Sequence, residues 1–185
     1  MRYTKEQLTD VAPTWPQRTL VIMRGPSGSG KTTLAKHIQS VMKESHNRPG
    51  RLSADFYFYN DDGEYVFNVD DLHEAHSWCR REAQKAVERQ EPCVIIDNTN
   101  MRREELAPYV RMAWLNGYVV RFVSTSWVDS EEDAERLVVL NNHGVSKDVI
   151  LRQMRNWMDI DESFPVTEMV EIIECCRISD WFFKD

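Results

Sequence analysis

Basic residues are the scarcer charge in this sequence. Its 185 residues include 23 Lys and Arg against 30 Asp and Glu, which gives a formal net charge of −7 at pH 7. A chain with this balance does not attract nucleic acid over its whole surface, because such binding is dominated by contacts between cations and phosphates. The shortage leaves open a local basic groove that takes a short strand or a single nucleotide end.

Cysteine is also scarce, and its spacing excludes the common zinc sites. Four Cys residues occur, at positions 79, 93, 175 and 176, and no two of them form a CxxC pair or another zinc-ligand spacing. We interpret them as reduced thiols in the core of a cytosolic protein.

Long apolar runs are absent as well. The first residues, MRYTKEQLTDVAPTWPQ, are polar, and no stretch approaches the length of a membrane span. These absences predict a soluble, cytoplasmic protein without membrane contact. The 42% hydrophobic content is enough for one compact core, and no repeat or low-complexity segment divides the chain. We therefore expect a single domain over residues 1–185.

Short apolar runs alternate with helical patterns along the chain. Strands are predicted at 19–23, 51–54, 93–96, 118–123 and 168–175. Helices are predicted at 32–43, 70–90, from Thr99 or Asn100 to about 117 with a break or bend at Pro108, 130–140 and 146–158. Residues 1–17 are interpreted as an N-terminal arm, and 57–67 as a hairpin or structured loop. The alternation predicts an α/β fold with a central, mainly parallel sheet covered by helices on both faces.

A glycine-rich motif follows the first predicted strand. The segment RGPSGSGKTTLA contains GxxxxGK[ST], complete at every fixed position and followed by a helical pattern. Glycines let the backbone wrap closely around phosphate oxygens, and N–H groups at a helix N-terminus attract anions. The motif predicts a three-layer P-loop NTPase fold that binds a nucleoside triphosphate, ATP, through Gly25, Pro26, Ser27, Gly28, Ser29, Gly30, Lys31, Thr32 and Thr33. The alternative is a glycine-rich turn that binds nothing.

The same motif predicts where the triphosphate and its metal ion are held. Lys31 is expected to reach the bridging and γ-phosphate oxygens, and the Thr32 hydroxyl is expected to ligate Mg²⁺. Asp97 ends the strand 93–96, on the rim where open α/β sheets bind ligands, and is the second candidate metal ligand. Alternatively, Asp97 only caps the next helix. Residues 98–100 follow on the same rim. The sequence predicts that they either contact the phosphate or the acceptor, or cap the next helix themselves.

A second strand-end carboxylate, Asp55, is the candidate catalytic base. It ends the predicted strand 51–54, so the same argument places it on the ligand-binding rim. Phosphoryl transfer to a hydroxyl benefits from a carboxylate that takes the proton. Alternatively, Asp55 starts a turn beside the aromatic run 56–59. That run either stacks a base or sugar or belongs largely to the core.

The two late helices, at about 130–160, are expected to form a lid that brings a cation over the γ-phosphate. The candidates are Arg136, Arg152 and Arg155 on the helices and His143 in the loop between them. We favour Arg155 and His143 as catalytic residues. The alternative for each of the four is an ordinary surface charge.

Four segments together resemble one kinase family. RGPSGSGKTTLA, SADFYF, VIIDNTN and the NHGV element come in the order seen in the polynucleotide-kinase-like branch of P-loop kinases. The resemblance covers about residues 19–160. It implies a 5′-hydroxyl kinase domain whose site residues are Lys31 and Thr32 for ATP and Mg²⁺, Asp55 for activation of the acceptor hydroxyl, Asp97 as the strand-end acid, and His143 with Gly144 in the lid.

Two positions depart from the family pattern. Where the family has an Arg immediately before the Asn of the lid, this chain has Leu140, so that cation is missing or comes from Arg136, Arg152 or Arg155. One kinase of the family also has an Arg, which contacts the acceptor phosphate, three residues after its catalytic Asp, and here that position is Phe58. Both departures favour a modified base with a hydroxymethyl group, a mononucleoside or another small alcohol over an ordinary polynucleotide acceptor.

These observations predict an ATP-dependent kinase that transfers the γ-phosphoryl group to a hydroxyl of a nucleic acid or nucleotide. That hydroxyl is a 5′-hydroxyl or the hydroxymethyl group of a modified DNA base. One alternative is a nucleoside or other small-molecule kinase, which the acidic net charge favours over a long duplex. A second alternative is a nucleotide-dependent ATPase switch, which needs no base at Asp55. A third alternative is a degenerate nucleotide-binding scaffold. The aromatic residues 181–183 are expected to dock on the body of the protein.

Overall fold

The structure, a computed structural model, describes residues 4–43 and 50–159. The predicted strand at 168–175 and the aromatic residues 181–183 lie outside the described residues. Within the described ranges, no helix has the length and apolar character needed to cross a bilayer.

Four parallel strands form the sheet of the described chain. They are β1 (Thr19–Arg24), β2 (Gly50–Leu52), β3 (Cys93–Ile96) and β4 (Val119–Ser124), in the order β2-β3-β1-β4. β1 and β3 are buried at every position, as expected for central strands of a parallel sheet that is covered on both faces. The predicted α/β fold with a mainly parallel sheet is confirmed.

Six α-helices accompany these strands in the described residues. They are α1 (Lys5–Val11), α2 (Lys31–Lys43), α3 (Leu72–Glu88), α4 (Arg103–Leu115), α5 (Glu131–Leu140) and α6 (Lys147–Arg155). Alternate residues of β1 face opposite helical layers. Leu20 and Ile22 belong to the core on the side of α3 and α4. Val21 and Met23 belong to the core on the side of α1 and α2, which completes the three layers.

Helix α4 begins later than predicted. Its N-cap is Arg102 rather than Thr99 or Asn100. Asn100 has a left-handed φ of 49°, and its side-chain amide donates to the carbonyl oxygen of Met23 at 2.8 Å. The side chain that the sequence suggested as a cap therefore holds the end of β1 instead.

Of the two alternatives predicted at Pro108, a break or a bend, the break is wrong, because α4 continues through that residue. Leu106 and Val110, on either side of the proline, are fully buried against the sheet. Burial of such side chains contributes about 1.5–3 kcal/mol each, which offsets the hydrogen bond that proline cannot donate.

Residues 4–15, within the predicted N-terminal arm, form structure of their own. Thr4 caps α1, and the 3₁₀ helix Ala12–Thr14 follows it. Leu8 and Ala12 are fully buried, and Trp15 is nearly so, in the core shared with α2. These three residues are four and three positions apart, a helical spacing that indicates one apolar face. The segment is thus part of the core rather than an extended arm.

Candidate active site

The loop between β1 and α2 has a conformation that requires glycine. Gly25 and Gly28 have φ values of 148° and 78°, in the region that residues with a Cβ rarely adopt. A Cβ at Gly25 would collide with Oγ1 of Thr125, and one at Gly28 with the backbone carbonyl oxygen of Leu137 in α5. The loop is therefore in close contact with the first of the two predicted lid helices.

Lys31 begins α2, and its side chain turns back into the loop. Its Nζ donates to the carbonyl oxygen of Pro26 at 2.9 Å, inside the curve of the loop. Burial lowers the pKa of Lys31 to about 8, and the negative charges of Asp97 and Asp55 oppose part of that shift. The two predicted acidic residues are thus close enough to Lys31 to act on its charge.

The remaining predicted loop residues line the mouth of the site. Thr125 Oγ1 donates to Ser29 Oγ at 2.6 Å, which ties the loop to the end of β4. Gly30, Thr32 and Thr33 are exposed at the N-terminus of α2. A helix N-terminus favours an anion there, because its first N–H groups have no partners within the helix.

Gln153 of α6 is the residue that joins the lid helices to the loop. Its Oε1 accepts from the backbone N–H of Ser27 at 2.8 Å, and its Nε2 donates to the Ser27 hydroxyl at 3.2 Å. Sequence reasoning missed Gln153, because a glutamine on an amphipathic helix carries no signal of its own. The contact becomes visible only when the two late helices are placed beside the loop.

Asp97 lies directly beyond β3 and is almost fully buried. Its Oδ2 accepts from Arg51 Nη1 at 2.8 Å, and its side chain is 1% exposed. Its Oδ1 is buried without a hydrogen-bond partner among the described residues. Arg51 also lies over the ring of Phe56, 4.7 Å from its centroid. Asp97 does not cap α4, and Arg51 is a second residue that the sequence analysis did not identify.

Asn98 and Asn100 point into the protein rather than to phosphate or acceptor. Asn98 Oδ1 accepts from the backbone N–H of Ala54 at 2.8 Å, and its Nδ2 donates to Cys79 Sγ and Tyr109 Oη, each at 3.5 Å. The Asn98 amide therefore holds the segment that carries Asp55 against α3 and α4.

Replacing Asn98 with Ala should misplace Asp55 and destabilise the protein. The buried N–H of Ala54 loses its acceptor, and an unsatisfied buried donor costs about 1–3 kcal/mol. We expect a lower urea midpoint for Asn98→Ala and a lower kcat. Asn116→Ala is the matched control, since that amide donates to the Met112 carbonyl oxygen at the end of α4, away from Asp55. Equal effects of the two substitutions on kcat would contradict a role for Asn98 in positioning Asp55.

Asp55 and His143 come together across the site. Asp55 lies in the 3₁₀ helix Ala54–Phe58, capped by Ser53, and its side chain is 48% exposed. His143 Nε2 is 3.8 Å from Asp55 Oδ2. The His143 ring also lies 4.8 Å from the ring of Tyr65, whose pKa is raised to about 12 by burial and by the charge of Asp55.

Asn141 shapes the loop that presents His143. Its Oδ1 accepts from the backbone N–H groups of His143 and Val145, at 2.9 Å and 3.1 Å. Its Nδ2 donates to the Val145 carbonyl oxygen at 3.0 Å. A single side chain thus closes the turn between α5 and α6, and Gly144 has the positive φ of 66° that the turn requires.

The candidate lid arginines are not brought to the loop. Arg136 is held by Asp133, with 2.6 Å between Nη2 and Oδ1. Arg155 is exposed, and its Nε donates to the Leu151 carbonyl oxygen of its own helix at 3.3 Å. Because Gln153 faces the loop, Arg155 two positions later projects from the opposite side of α6. Arg152 is exposed and has no side-chain hydrogen bond or ion pair within the described residues.

Solved structures share this fold at low sequence identity. A gluconokinase from Sinorhizobium meliloti superposes with a TM-score of 0.52 at 16% identity, over 90% of this chain and 96% of its own. Kti12 of Chaetomium thermophilum, in complex with ADP-AlF3, has a TM-score of 0.55 at 13% identity, over 86% and 97%. A chain of the Pnkp1/Rnl/Hen1 RNA repair complex has a TM-score of 0.55 at 17% identity, over 82% and 55%. This chain therefore shares its fold with these proteins, a gluconokinase among them.

Sequence comparison identifies the family. Human NEDD4-binding protein 2 is 38% identical over 167 residues, which are 86% of this chain but only 9% of that protein. The family described as AAA domain matches residues 20–166. That range contains the loop, Asp55, Asp97 and both lid helices. The chain belongs to this AAA domain family of P-loop proteins, and its predicted likeness to polynucleotide-kinase-like P-loop kinases is confirmed.

Proposed function

We propose that this chain is an ATP-dependent kinase that transfers the γ-phosphoryl group to a hydroxyl of a nucleic acid or nucleotide. The observation that carries the proposal is the position of Asp55. Its half-exposed carboxylate lies near His143, and its charge acts on the loop lysine, Lys31. A nucleotide-dependent switch needs no carboxylate there, whereas transfer to a hydroxyl needs a proton acceptor beside the P-loop.

In the proposed reaction, the acceptor hydroxyl oxygen attacks the γ-phosphorus of ATP. A P–O bond to the acceptor forms, the bond from the γ-phosphorus to the bridging oxygen breaks, and ADP leaves. The hydroxyl proton passes to the Asp55 carboxylate. Lys31 and the backbone N–H groups of the loop orient the phosphates and offset their charge, so most of the catalysis is positioning and electrostatic stabilisation.

The rim of the sheet also suits Mg²⁺. The buried Asp97 Oδ1 has no hydrogen-bond partner within the described ranges, and Thr32 lies in the exposed first turn of α2. Carboxylate and hydroxyl oxygens are the ligands that Mg²⁺ prefers, and a nucleotide site needs few of them because phosphates supply others. We therefore propose Thr32 and Asp97 as its protein ligands, directly or through water. When bound, Mg²⁺ neutralises charge on the phosphates.

A transfer assay tests the function. The protein is incubated with γ-labelled ATP and Mg²⁺ and with 5′-hydroxyl DNA and RNA oligomers, hydroxymethyl-base DNA and free nucleosides. Label on any of these acceptors supports the proposal and names the acceptor class. Hydrolysis of ATP with no labelled acceptor would instead indicate an ATPase switch. Label only on gluconate or glycerol, added as non-nucleotide alcohols, would indicate a small-molecule kinase.

The affinity for ATP should fall as the pH rises through about 8, the pKa of Lys31. Burial holds that pKa below the ordinary lysine value of 10.5, so above pH 8 the free protein has lost the proton that phosphate binding requires. By linkage, the Kd then rises up to about tenfold per pH unit, whereas it is flat below pH 8. Titration calorimetry with MgATP at pH values below and above 8 measures this change in Kd.

Lys31→Arg is the control for the pH effect. A guanidinium stays charged over the whole range, so the Kd of this variant should rise much less above pH 8. Identical pH profiles for the wild type and Lys31→Arg would show that the titrating group is not Lys31.

A further inference from the structure

Four aromatic rings form a continuous surface beside Asp55. This aromatic face consists of Tyr59, Tyr65, Phe67 and His143. Tyr59 and Tyr65 form an antiparallel bridge, so residues 59–65 form a short hairpin, which is one of the two alternatives that the sequence left open for 57–67. The centroid of the Tyr65 ring lies 5.3 Å from that of Tyr59, 6.5 Å from that of Phe67 and 4.8 Å from that of His143. The ring planes of Tyr65 and Phe67 are 14° apart.

Two rings of the aromatic face are open to solvent. Tyr59 is 48% exposed and Phe67 is 50% exposed. Below them Phe58 is buried, with its ring 4.9 Å from Phe67 and 6.1 Å from Tyr65. The buried ring supports the exposed ones from inside the protein. Exposed apolar area on a supported scaffold is typical of a binding surface.

The aromatic face is continuous with the proposed catalytic base. His143 contacts Tyr65 on one side and lies 3.8 Å from the Asp55 carboxylate on the other. A flat group stacked on the face would therefore have its attached hydroxyl near Asp55. The lid loop supplies one edge of this surface and the hairpin supplies the rest.

The charges around the face disfavour phosphate. The sequence from 52 to 79 contains no Lys or Arg, and the hairpin turn carries Asp61, Asp62 and Glu64. Phe58 is 5% exposed and belongs to the core. A ligand on this surface must bind without cationic side chains from the hairpin. Stacking of a nucleobase on aromatic rings meets that condition, since it needs no charge.

Building on the kinase function proposed above, we propose that the aromatic face is the acceptor-binding surface and stacks the nucleobase of the terminal nucleoside whose hydroxyl Asp55 activates. The surface would take an unpaired 5′-hydroxyl terminus through its first base. Phosphates further along the strand would contribute little. The buried Phe58 ring then has a physical role, because it supports the stacking surface from below.

Two single-stranded oligonucleotides of equal length test the proposal. Both end in a 5′-hydroxyl, and one has an abasic first residue. Since one stacked base contributes roughly tenfold or more to affinity, kcat/KM for the abasic oligonucleotide should be at least about tenfold lower, mainly through KM. The KM of the intact oligonucleotide should also change little with salt, because few phosphates are neutralised.

Substitutions in the aromatic face test whether the preference for the intact oligonucleotide depends on its rings. Phe67→Leu and Tyr59→Leu keep apolar volume but remove a flat ring, so each should reduce the preference for the intact oligonucleotide without changing the KM for ATP. Tyr59→Phe keeps the ring and should retain the preference. Trp114→Leu is the matched control, because Trp114 is 52% exposed on α4, outside the aromatic face. Thermal unfolding confirms that each variant is folded.

A fluorescent base gives a readout that does not depend on turnover. With 2-aminopurine as the first base, binding should quench its fluorescence in the wild type and in Trp114→Leu but less in Phe67→Leu. Equal kcat/KM for the two oligonucleotides, or equal quenching in wild type and Phe67→Leu, would overturn the stacking surface and leave the kinase proposal intact. Failure of the wild type to label any acceptor would overturn the kinase proposal, and persistent quenching would then still support base binding.

Discussion

Asp55→Asn should lower kcat for phosphoryl transfer by about 10²–10⁴-fold, the usual contribution of a general base. Asparagine has nearly the same shape but cannot accept the hydroxyl proton. The side chain is 48% exposed, so the substitution leaves no buried charge without a partner. ATP is held by the loop, and its Kd should change only a few-fold. Labelled transfer to the best acceptor gives kcat, and calorimetry gives the Kd.

Asp62→Asn controls for the change in charge. Asp62 lies in the turn of the same hairpin and is exposed, and its removal alters the net charge equally. We expect kcat within about twofold of the wild type, as for most surface substitutions away from a reacting group. If both variants lose the same activity, charge rather than proton transfer explains the effect. If Asp55→Asn keeps full kcat, another group accepts the proton.

Arg51→Met should destabilise the protein by about 3–5 kcal/mol, because it leaves the buried Asp97 carboxylate without its partner. The two side chains are 16% and 1% exposed, and 2.8 Å separates Arg51 Nη1 from Asp97 Oδ2. Asp97 Oδ1 has no hydrogen-bond partner in the described part of the chain, so without Arg51 the carboxylate would keep only the nearby charge of Lys31 as compensation. The free energy of unfolding in urea measures the loss.

Two further variants test whether the buried pair of Arg51 and Asp97 contributes more to stability than an ion pair at the surface. In the double variant Arg51→Met with Asp97→Asn neither side chain of the pair is charged, so part of the stability should return. Arg136→Met breaks the partly exposed pair with Asp133 and should cost less than about 1 kcal/mol. A loss for Arg51→Met no larger than that of Arg136→Met would contradict the importance of the buried pair.

The features that the sequence predicted correctly are local, because each of them depends on a short stretch of the chain. The phosphate loop depends on glycines and a lysine within eight consecutive positions, so its motif is complete in a short window. The strand Cys93–Ile96 is a short apolar run, and the helices predicted at 130–140 and 146–158 correspond to α5 and α6. Asp55 and Asp97 were assigned to one rim because parallel strands end at the same edge of a sheet.

The predictions that failed did so because tertiary packing outweighed the local conformational preference of the residues. Asn100 is a good capping residue, but its amide holds the Met23 carbonyl at the end of β1. Pro108 disfavours a helix, but burial of the residues around it outweighs that preference. For the residues 4–15, a helical spacing of apolar side chains was the available signal, and the nearby prolines obscured it.

Sequence was sufficient for the fold class, the glycine-rich loop between β1 and α2 and the position of Asp97 directly after β3, because each depends on neighbouring residues or on a general rule for parallel sheets. The predicted strand 51–54 is shorter in the structure, since β2 ends at Leu52 and Asp55 lies in the 3₁₀ helix that follows. Tertiary structure decided which groups complete the site. Arg51 reaches Asp97 across 46 positions, and Gln153 reaches Ser27 across 126. It also turned Phe58 inward and left Tyr59 and Phe67 exposed. Such pairings follow from register and helix packing, in which distant segments of the chain are placed side by side, and no short window of sequence contains both partners.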